Sequence, residues 1–138
     1  MNIFYTDGSA SPNPGPGGWA IIDVNTKNPI KSGGEKDTTN IRMEGTALRE
    51  AIKLAENEPT EIRTDSEFWI NVLTKWAPAW EANDWHKKGG EIKNLDLVKE
   101  LYELYKTHDI TLKWVKGHAG EELNELADTA ANEARKSL

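Results

Sequence analysis

The order of short apolar segments and amphipathic segments is the feature that most constrains how this 138-residue chain can fold. Short apolar segments bounded by turn residues predict strands at residues 2–7, 19–24, 29–36, 61–64 and 110–115. Helical periodicity predicts helices at residues 41–56, 66–73, 95–107 and 123–136. The order β-β-β-α-β-α-α-β-α predicts an α/β fold, with a five-stranded mixed sheet flanked by helices and an antiparallel meander of the first three strands.

Length and composition favour one domain over residues 1–138 in a reducing compartment. A chain of this size can bury about two-thirds of its unfolded surface, which suffices for a core. It contains no cysteine, so no disulfide can form. The N-terminus has no basic, apolar leader, and no apolar run approaches the roughly 20 residues that span a bilayer. We therefore expect a cytoplasmic protein with no membrane partner.

The acidic charge narrows the choice of partner. Lys and Arg total 17 against 23 acidic residues, which gives a net charge of −6 and a pI near 5.1. Proteins that bind nucleic acid usually present basic patches, because phosphate neutralisation supplies much of their affinity. Either the partner is not a polyanion, or part of the acid is concentrated at a cation site.

Four carboxylates are candidates for such a site, and each also has an ordinary structural explanation. Glu44 lies in the middle of the apolar arc of its helix, where a buried Arg or Lys could pair with it. Asp7 and Asp65 end predicted strands, where they could form a turn or cap a helix. Asp128 lies outside the apolar stripe of the last helix, as an ordinary flanking residue would.

Taken together, the carboxylates favour a magnesium or manganese site. Active sites collect at the strand ends of open sheets, and carboxylate oxygens are hard ligands for these ions. With no cysteine and three histidines, a zinc site is a poor competitor.

Four motifs in register make the chain similar to a known family, the type 1 ribonucleases H. The motifs are Thr6–Ser9 with Asn13–Ala20, Thr38–Glu44, Thr64–Ser66, and Trp114–Gly120 with Asn124 and Asp128 beyond. They occur in order, with the family's spacing, over essentially the whole chain. The resemblance implies a ribonuclease H-like fold and hydrolysis of the RNA strand of an RNA–DNA hybrid.

The resemblance also implies the catalytic groups. Asp7, Glu44, Asp65 and Asp128 would hold two Mg²⁺ ions, for which Mn²⁺ could substitute. One ion would lower the pKa of the attacking water and the other would neutralise the leaving 3′ oxygen, giving 5′-phosphate and 3′-hydroxyl ends. Without metal, the clustered carboxylates should repel one another and one should be partly protonated. His118 would move protons near the water, for which its ordinary pKa of roughly 6.5 is suited.

Contacts with the hybrid follow from the same resemblance. The residues expected to lie along its minor groove, where 2′-hydroxyls distinguish RNA from DNA, are Gly8, Ser9, Asn13, Asn40, Ser66, Glu67 and Asn124. Glu67 departs from the amide usual in the family and cannot donate a hydrogen bond when ionised. Ile41 replaces a polar residue, so these contacts are expected to be weaker.

A Trp-rich segment at about residues 76–93, the handle, is expected to lie along the DNA strand. Trp76 and Trp80 are four residues apart, a spacing that favours packing against each other, although Trp76 is kept as a candidate for substrate contact. Trp85 is the better candidate for contacting deoxyribose, and Lys87 and Lys88 form the basic cluster beside it. Residues 75–93 contain four Lys and three acidic residues, a net charge of +1, so the handle should contribute little electrostatic affinity.

Two alternatives compete with an active hybrid-specific nuclease: a related polynucleotidyl transferase that acts on DNA, and a silent hybrid-binding module. The complete Asn13–Gly18 loop, the handle and the loop around His118 argue against the first. Four acidic residues in register argue against the second. A compact stand-alone enzyme of this family is further expected to be a monomer with no obligate protein partner.

Overall fold

The computed structural model of the protein describes residues 1–116 and 122–138. Its sheet contains strands β1 (Asn2–Ala10), β2 (Gly15–Asp23), β3 (Asn28–Thr38), β4 (Thr60–Thr64) and β5 (Ile110–Trp114). Their spatial order is β3-β2-β1-β4-β5, with β1, β2 and β3 antiparallel and β4 and β5 parallel to β1. The predicted five-stranded mixed sheet and its antiparallel meander are confirmed. Strand β3 forms one edge of the sheet, and most of its residues are exposed.

Within the described residues, five α-helices flank the sheet: α1 (Asn40–Ala55), α2 (Glu67–Asn71), α3 (Ala77–Ala82), α4 (Leu95–Thr107) and α5 (Glu122–Lys136). A π-helical segment, Val72–Trp76, joins α2 to α3 without a break. The sequence-based prediction ended this helix near residue 73 and was wrong, since the helical path continues to Ala82. Edge-on packing of Trp76 against Phe68 and its contact with Trp80 hold this continuation together.

Two apolar clusters lie on opposite faces of the sheet. The larger one joins α1 and α4 to the sheet, with Leu48, Ile52, Trp69 and Leu101 fully buried. The smaller one contains Tyr5, Ile22 and Ala127, beneath α5. Burial of each large side chain stabilises the fold by about 1.5–3 kcal/mol before losses of conformational entropy. The two clusters fix α1 and α5 against the two faces of β1, which carries Asp7.

The strands extend further into the Gly/Pro-rich segment than the sequence predicts. Strand β1 reaches Ala10 and β2 begins at Gly15, so the predicted loop from Ser9 to Gly18 contracts to residues 11–14. Glycine is required within β2 because a Cβ on Gly18 would collide with the backbone oxygen of Ala131 in α5. Here glycine marks the close approach of a helix to a strand, whereas the sequence pattern had suggested a turn.

Helix α1 buries a slightly different face from the predicted one. Thr39 caps it by accepting a hydrogen bond from the backbone N–H of Arg42 at 3.1 Å. Ile52 is fully buried, whereas Leu54, an apolar residue that helical periodicity would assign to the buried face, is 37% exposed. The reason is that α1 packs against both the sheet and α4, which widens its buried face toward Ile52. In the described parts of the chain, no helix is long and apolar enough to cross a membrane.

Candidate active site

Asp7 lies within β1, opposite Ala20 of β2, and is 9% exposed. The prediction that it ends its strand in a turn is therefore wrong, because β1 continues for three more residues. Burial raises the pKa of its carboxyl to about 8, and the charges of Asp65 and Asp128 and a hydrogen bond with Asp128 add to the rise. The backbone N–H of Gly8 opposes it. The hydrogen bond places the α5 carboxyl beside the β1 carboxyl.

Glu44 projects from α1 and is partly buried. Burial raises the pKa of its carboxyl to about 7, a hydrogen bond from the Ser66 hydroxyl lowers it, and the charge of Asp65 raises it. None of the ion pairs found among residues 1–116 and 122–138 includes Glu44. Within that part of the chain, the structure therefore does not support the alternative that a buried Arg or Lys pairs with Glu44.

Asp65 directly follows β4, and Ser66 caps α2. The Ser66 hydroxyl oxygen accepts a hydrogen bond from the backbone N–H of Trp69 at 3.2 Å, so the capping role considered for Asp65 or Ser66 belongs to Ser66. The indole Nε1 of Trp114 donates to the backbone oxygen of Asp65 at 3.3 Å, which ties the end of β5 to this corner. The charge of Asp65 acts on both Asp7 and Glu44. Asp65 is thus the centre of the carboxylate group.

The donor chemistry of these four carboxylates suits a hard divalent cation. All eight candidate oxygens are carboxylate. Burial and, to a smaller extent, mutual repulsion raise the pKa of Asp7 and of Glu44, and a bound cation would favour the ionised carboxylates. The contacts are pairwise, Asp7 with Asp128 and Glu44 with Ser66. Among the described residues, no three acidic or histidine side chains already converge in metal-ligand geometry. The residues therefore fit a divalent ion by chemistry and charge, and they do not form a closed ligand shell.

A hydrogen-bonded chain connects the 11–14 loop to α1. The Asn13 side-chain oxygen accepts from the backbone N–H of Asn40 at 3.1 Å. The Asn40 side-chain oxygen accepts in turn from the backbone N–H of Ala10 at 2.6 Å. The structure thus brings Asn13 and Asn40, two of the three predicted substrate-contact asparagines, together at the end of β1 beyond Asp7. Nearby, the Ser9 hydroxyl lies 3.4 Å from the side-chain oxygen of Asn132 in α5.

The other predicted minor-groove residues differ in exposure. Glu67, in the first turn of α2, is exposed. Ser66 and Asn124 are 5% and 4% exposed, and Gly8 is buried where a Cβ would collide with the backbone of Met43. These three residues therefore lie within the folded chain, and direct contact with a ligand would fall to their exposed neighbours.

The handle presents an open cavity of about 650 Å³ lined by both aromatic and basic side chains. Trp76, which is 39% exposed, packs against Phe68 and Trp80 with ring centroids 5.8 Å and 6.2 Å apart. The predicted packing of Trp76 against Trp80 is confirmed. Lys87 and Lys88 line the same cavity.

Trp85 faces α4 rather than this cavity. Its ring packs edge-on against Tyr102, with centroids 6.2 Å apart, and the Lys99 ammonium lies 5.6 Å from its centroid. The structure thus gives Trp85 a role in holding the handle to α4. Trp76 is the more accessible tryptophan, the reverse of what the sequence suggested.

Comparison with known proteins identifies the family to which this arrangement belongs. The family model for RNase H matches residues 1–136. A "Ribonuclease H" of Hahella chejuensis is 45% identical over 131 residues, covering 93% of this chain and 88% of the relative. A "Ribonuclease H" of Methylorubrum extorquens is 43% identical over 136 residues, covering 97% of this chain and 60% of the relative, so the chain spans less than two-thirds of that protein.

The chain belongs to the ribonuclease H family. Solved structures agree on the fold. The PFV RNase H domain matches with a TM-score of 0.80 at 26% identity, over 99% of this chain and 94% of that one. LC11-RNase H1, solved in complex with RNA/DNA hybrid, matches with a TM-score of 0.71 at 23% identity, over 99% and 98%. The predicted ribonuclease H-like fold is confirmed, and by family the chain is an enzyme of the nuclease class.

Two more residues bear on the site of this ribonuclease H family member, His118 and Trp69. The predicted catalytic His118 lies outside the described residues. Sequence reasoning missed Trp69 of α2, which is fully buried against α1. Its helical spacing with Val72, Leu73 and Trp76 would have indicated this buried face, since residues three and four apart share a side of a helix.

Proposed function

We propose that the protein is an endoribonuclease that hydrolyses the RNA strand of RNA–DNA hybrids with divalent metal ions. The observation that supports this most directly is the group of four carboxylates around Asp65, in which burial and mutual repulsion raise the pKa of Asp7 to about 8 and of Glu44 to about 7. A fold that opposes ionisation of its own acidic side chains, at the position where the family carries its chemistry, favours a cation site over a structural one.

We assign the metal ligands to Asp7, Glu44, Asp65 and Asp128, and we propose two Mg²⁺ ions, with Mn²⁺ able to substitute. Bound ions would supply a more acidic water and neutralise charge at the leaving oxygen. The chain itself supplies position: β1 fixes Asp7, α1 fixes Glu44, the end of β4 fixes Asp65 and α5 fixes Asp128. Because three elements of secondary structure and a strand end contribute one carboxylate each, the group forms only when all four are docked.

The proposed reaction is an in-line hydrolysis. The oxygen of a water molecule forms a bond to the scissile phosphorus and the bond from phosphorus to the 3′ oxygen breaks. The water's proton passes to a nearby base and the leaving 3′ oxygen acquires a proton, so the products carry a 5′-phosphate and a 3′-hydroxyl. We propose that His118 assists the movement of this proton or the departure of the product.

We propose that the exposed ends of the Asn13–Asn40 chain select RNA. Both side-chain oxygens accept backbone N–H groups, so the amide nitrogens are the side-chain groups that can donate outward. Within the described residues, no hydrogen bond uses these two nitrogens. A 2′-hydroxyl can accept such bonds, and exposed Glu67 can accept one from it. Gly8, Ser9, Ser66 and Asn124 are proposed to support this surface from beneath.

We propose that the handle holds the DNA strand, through the cavity that Trp76 shares with Lys87 and Lys88. Aromatic surface beside ammonium groups suits a sugar–phosphate backbone. Trp85 is proposed to act at the margin of this surface, since one side of its ring is covered by Tyr102. We also propose that residues 1–138 form a single catalytic domain. The protein would act as a cytoplasmic monomer without an obligate protein partner.

The test is cleavage of a labelled RNA–DNA hybrid by wild type, Asp7→Asn and Asp37→Asn, with Mg²⁺, with Mn²⁺ and with a chelator. Duplex RNA, duplex DNA and single-stranded RNA serve as alternative substrates. We expect metal-dependent cutting of the hybrid's RNA strand alone, with 5′-phosphate ends. Asp7→Asn should abolish this cutting, whereas exposed Asp37→Asn should retain it.

Two results would replace the proposal. Tight binding of the hybrid without cutting would indicate a silent binding module. Metal-dependent cutting of DNA would indicate chemistry of the transferase type.

A further inference from the structure

We infer that Trp69 and Gly45 form a matched pair that positions Glu44 against Asp65, an inference that rests on the proposed function. Trp69 is a positioning residue, since it acts through Glu44 and is not expected to touch the substrate. It lies in α2, four residues after Asp65, and is fully buried.

The first observation is that Trp69 bonds to both elements that carry these carboxylates. Its indole Nε1 donates to the backbone oxygen of Ile41, in the first turn of α1, at 2.7 Å. Its backbone N–H donates to the Ser66 hydroxyl at 3.2 Å. In an α-helix the carbonyl of residue 41 also accepts the N–H of residue 45, so the indole bonds to the turn that encloses Glu44. One side chain thus connects the α1 turn around Glu44 to the cap that follows Asp65.

The second observation is that Gly45 leaves room for this ring. A Cβ on Gly45 would collide with the benzene half of the Trp69 indole. Any larger side chain would therefore push α1 away from α2. Glycine destabilises a helix interior relative to alanine. Its presence in the middle of α1 is explained by this contact, because the two helices could not otherwise approach so closely.

The third observation is that Glu44 lies at the junction. The residue after Glu44, Gly45, contacts the Trp69 ring. The Glu44 carboxyl is hydrogen-bonded to Ser66, and the Ser66 hydroxyl oxygen also accepts the backbone N–H of Trp69. A displacement of α1 relative to α2 would therefore change the separation of Glu44 from Asp65. Misplacement of a catalytic group by about 1 Å can lower a rate by about 100-fold. The two substrate-contact lysines of the handle, Lys87 and Lys88, belong to neither α1 nor α2.

The experiment is a double-mutant cycle on Trp69→Phe and Gly45→Ala, with kcat and KM measured on the hybrid at saturating Mg²⁺. Trp69→Phe removes the indole donor and the ring half that faces Gly45, so we expect kcat to fall about tenfold with KM within about twofold. Gly45→Ala alone should lower kcat similarly. In the Trp69→Phe background it should cost at most about twofold, because the collision with the indole is removed and the remaining close neighbour is the flexible end of the Leu97 side chain.

Two measurements keep the inference distinct from a general loss of stability. Ile22→Val alters a fully buried side chain in the cluster beneath α5, on the face of the sheet opposite α1 and α2. It should lower stability to urea while leaving kcat within about twofold. By NMR, the Trp69 indole N–H should be protected from solvent exchange in the wild type and should become exchangeable in Gly45→Ala.

The outcomes separate the inference from the proposed function. A wild type that cuts no hybrid would refute the function, and the inference with it. A wild type that cuts, with a Trp69→Phe variant that is folded and keeps kcat within twofold, would overturn the inference alone. So would additive effects of the two substitutions, an equal loss of kcat in Ile22→Val, or an unprotected Trp69 indole.

Discussion

The fold places the Asp7 carboxyl where its ionisation is opposed from several directions. It is almost fully buried, it is hydrogen-bonded to a second carboxyl, and a third carboxyl acts on it through its charge. A pKa of about 8 means that Asp7 is mostly protonated at neutral pH in the metal-free protein. Bound cations would have to displace this proton, so metal binding should strengthen as pH rises.

Stability of the metal-free protein should depend on pH through Asp7. The folded pKa, about 8, lies above the ordinary value of 3.8, so the folded state holds a proton that the unfolded state has lost. The stabilising contribution is complete below about pH 4 and is lost as pH rises toward 8. Asp7→Asn should therefore gain about 3 kcal/mol over wild type between pH 5.5 and pH 8.5, measured by urea unfolding with a chelator present.

Exposed Asp37→Asn is the matched control, and it should stay parallel to wild type over the same range. If the difference between Asp7→Asn and wild type were the same at both pH values, Asp7 would not be titrating as the structure implies.

Metal should reverse this destabilisation. At about ten times its dissociation constant, Mg²⁺ should raise the free energy of unfolding by about 1.4 kcal/mol, because it binds only the folded carboxylate group. Thermal unfolding at pH 8 with and without Mg²⁺ measures this, and Asp7→Asn should lose most of the gain. An equal gain in Asp7→Asn would place the bound ion elsewhere.

At the scale of elements, the site depends on how helices meet strand ends. The turn from β4 into α2 is held by Ser66, which caps α2, and by Thr64, whose hydroxyl oxygen accepts the Ser66 backbone N–H at 3.1 Å. The same Ser66 hydroxyl reaches Glu44 of α1. A single side chain thus serves both the start of α2 and the orientation of a proposed metal ligand.

Ser66→Ala should therefore have two effects. Loss of the cap should cost about 1 kcal/mol of stability. Loss of the hydrogen bond that lowers the pKa of Glu44 should weaken metal binding near neutral pH, so the Mg²⁺ concentration that gives half-maximal cleavage should rise several-fold.

Thr39→Ala, which removes the comparable cap of α1, is the control. It should cost similar stability and leave that Mg²⁺ midpoint unchanged. If Ser66→Ala and the wild type had the same Mg²⁺ midpoint, Ser66 would not contribute to metal binding.

The secondary-structure elements were predicted well where local periodicity determines them. They were predicted less well where contacts between residues distant in the sequence determine them. Strands β4 and β5 and helix α4 follow from local patterns. The extension of β2 to Gly15 does not follow from a local pattern. Glycine is required at position 18 because α5, more than a hundred residues later in the sequence, approaches the strand there. The π-helical continuation to α3 depends likewise on aromatic packing within the handle.

The site shows the same division. Sequence reasoning named the four carboxylates, yet a helical wheel placed Asp128 on an ordinary flank, because a wheel does not show which strand the helix will cross. Its hydrogen bond with Asp7 joins positions 121 residues apart. Burial of Asn124 and the contact of Trp85 with Tyr102 likewise depend on tertiary packing.

At the scale of the whole molecule, charge opposes the proposed substrate. The net charge is −6, and two Mg²⁺ ions would bring it to −6 + 4 = −2. The handle contributes a net charge of only +1 over residues 75–93. Hybrid affinity should therefore be modest and should depend strongly on metal.

Lys87 and Lys88 should account for much of the salt dependence of hybrid binding. If each neutralises one phosphate, the Lys87→Ala/Lys88→Ala double variant should reduce the slope of log K against log salt by about 2. Titrations of a hybrid at several salt concentrations measure this. Lys27→Ala, in the β2–β3 turn, should leave the slope unchanged. A double variant with the wild-type slope would mean that the handle does not contact the backbone.

The exposed edge formed by β3 also bears on how the protein behaves at high concentration. A free edge strand can pair with the same edge of another molecule and so begin aggregation. Strand β3 begins Asn28-Pro29, and Pro29 has no N–H to offer a partner strand. It also carries Lys31, Glu35, Lys36 and Asp37, whose charges would lose water in such a pairing. The edge therefore resists edge-to-edge pairing with further copies of the chain.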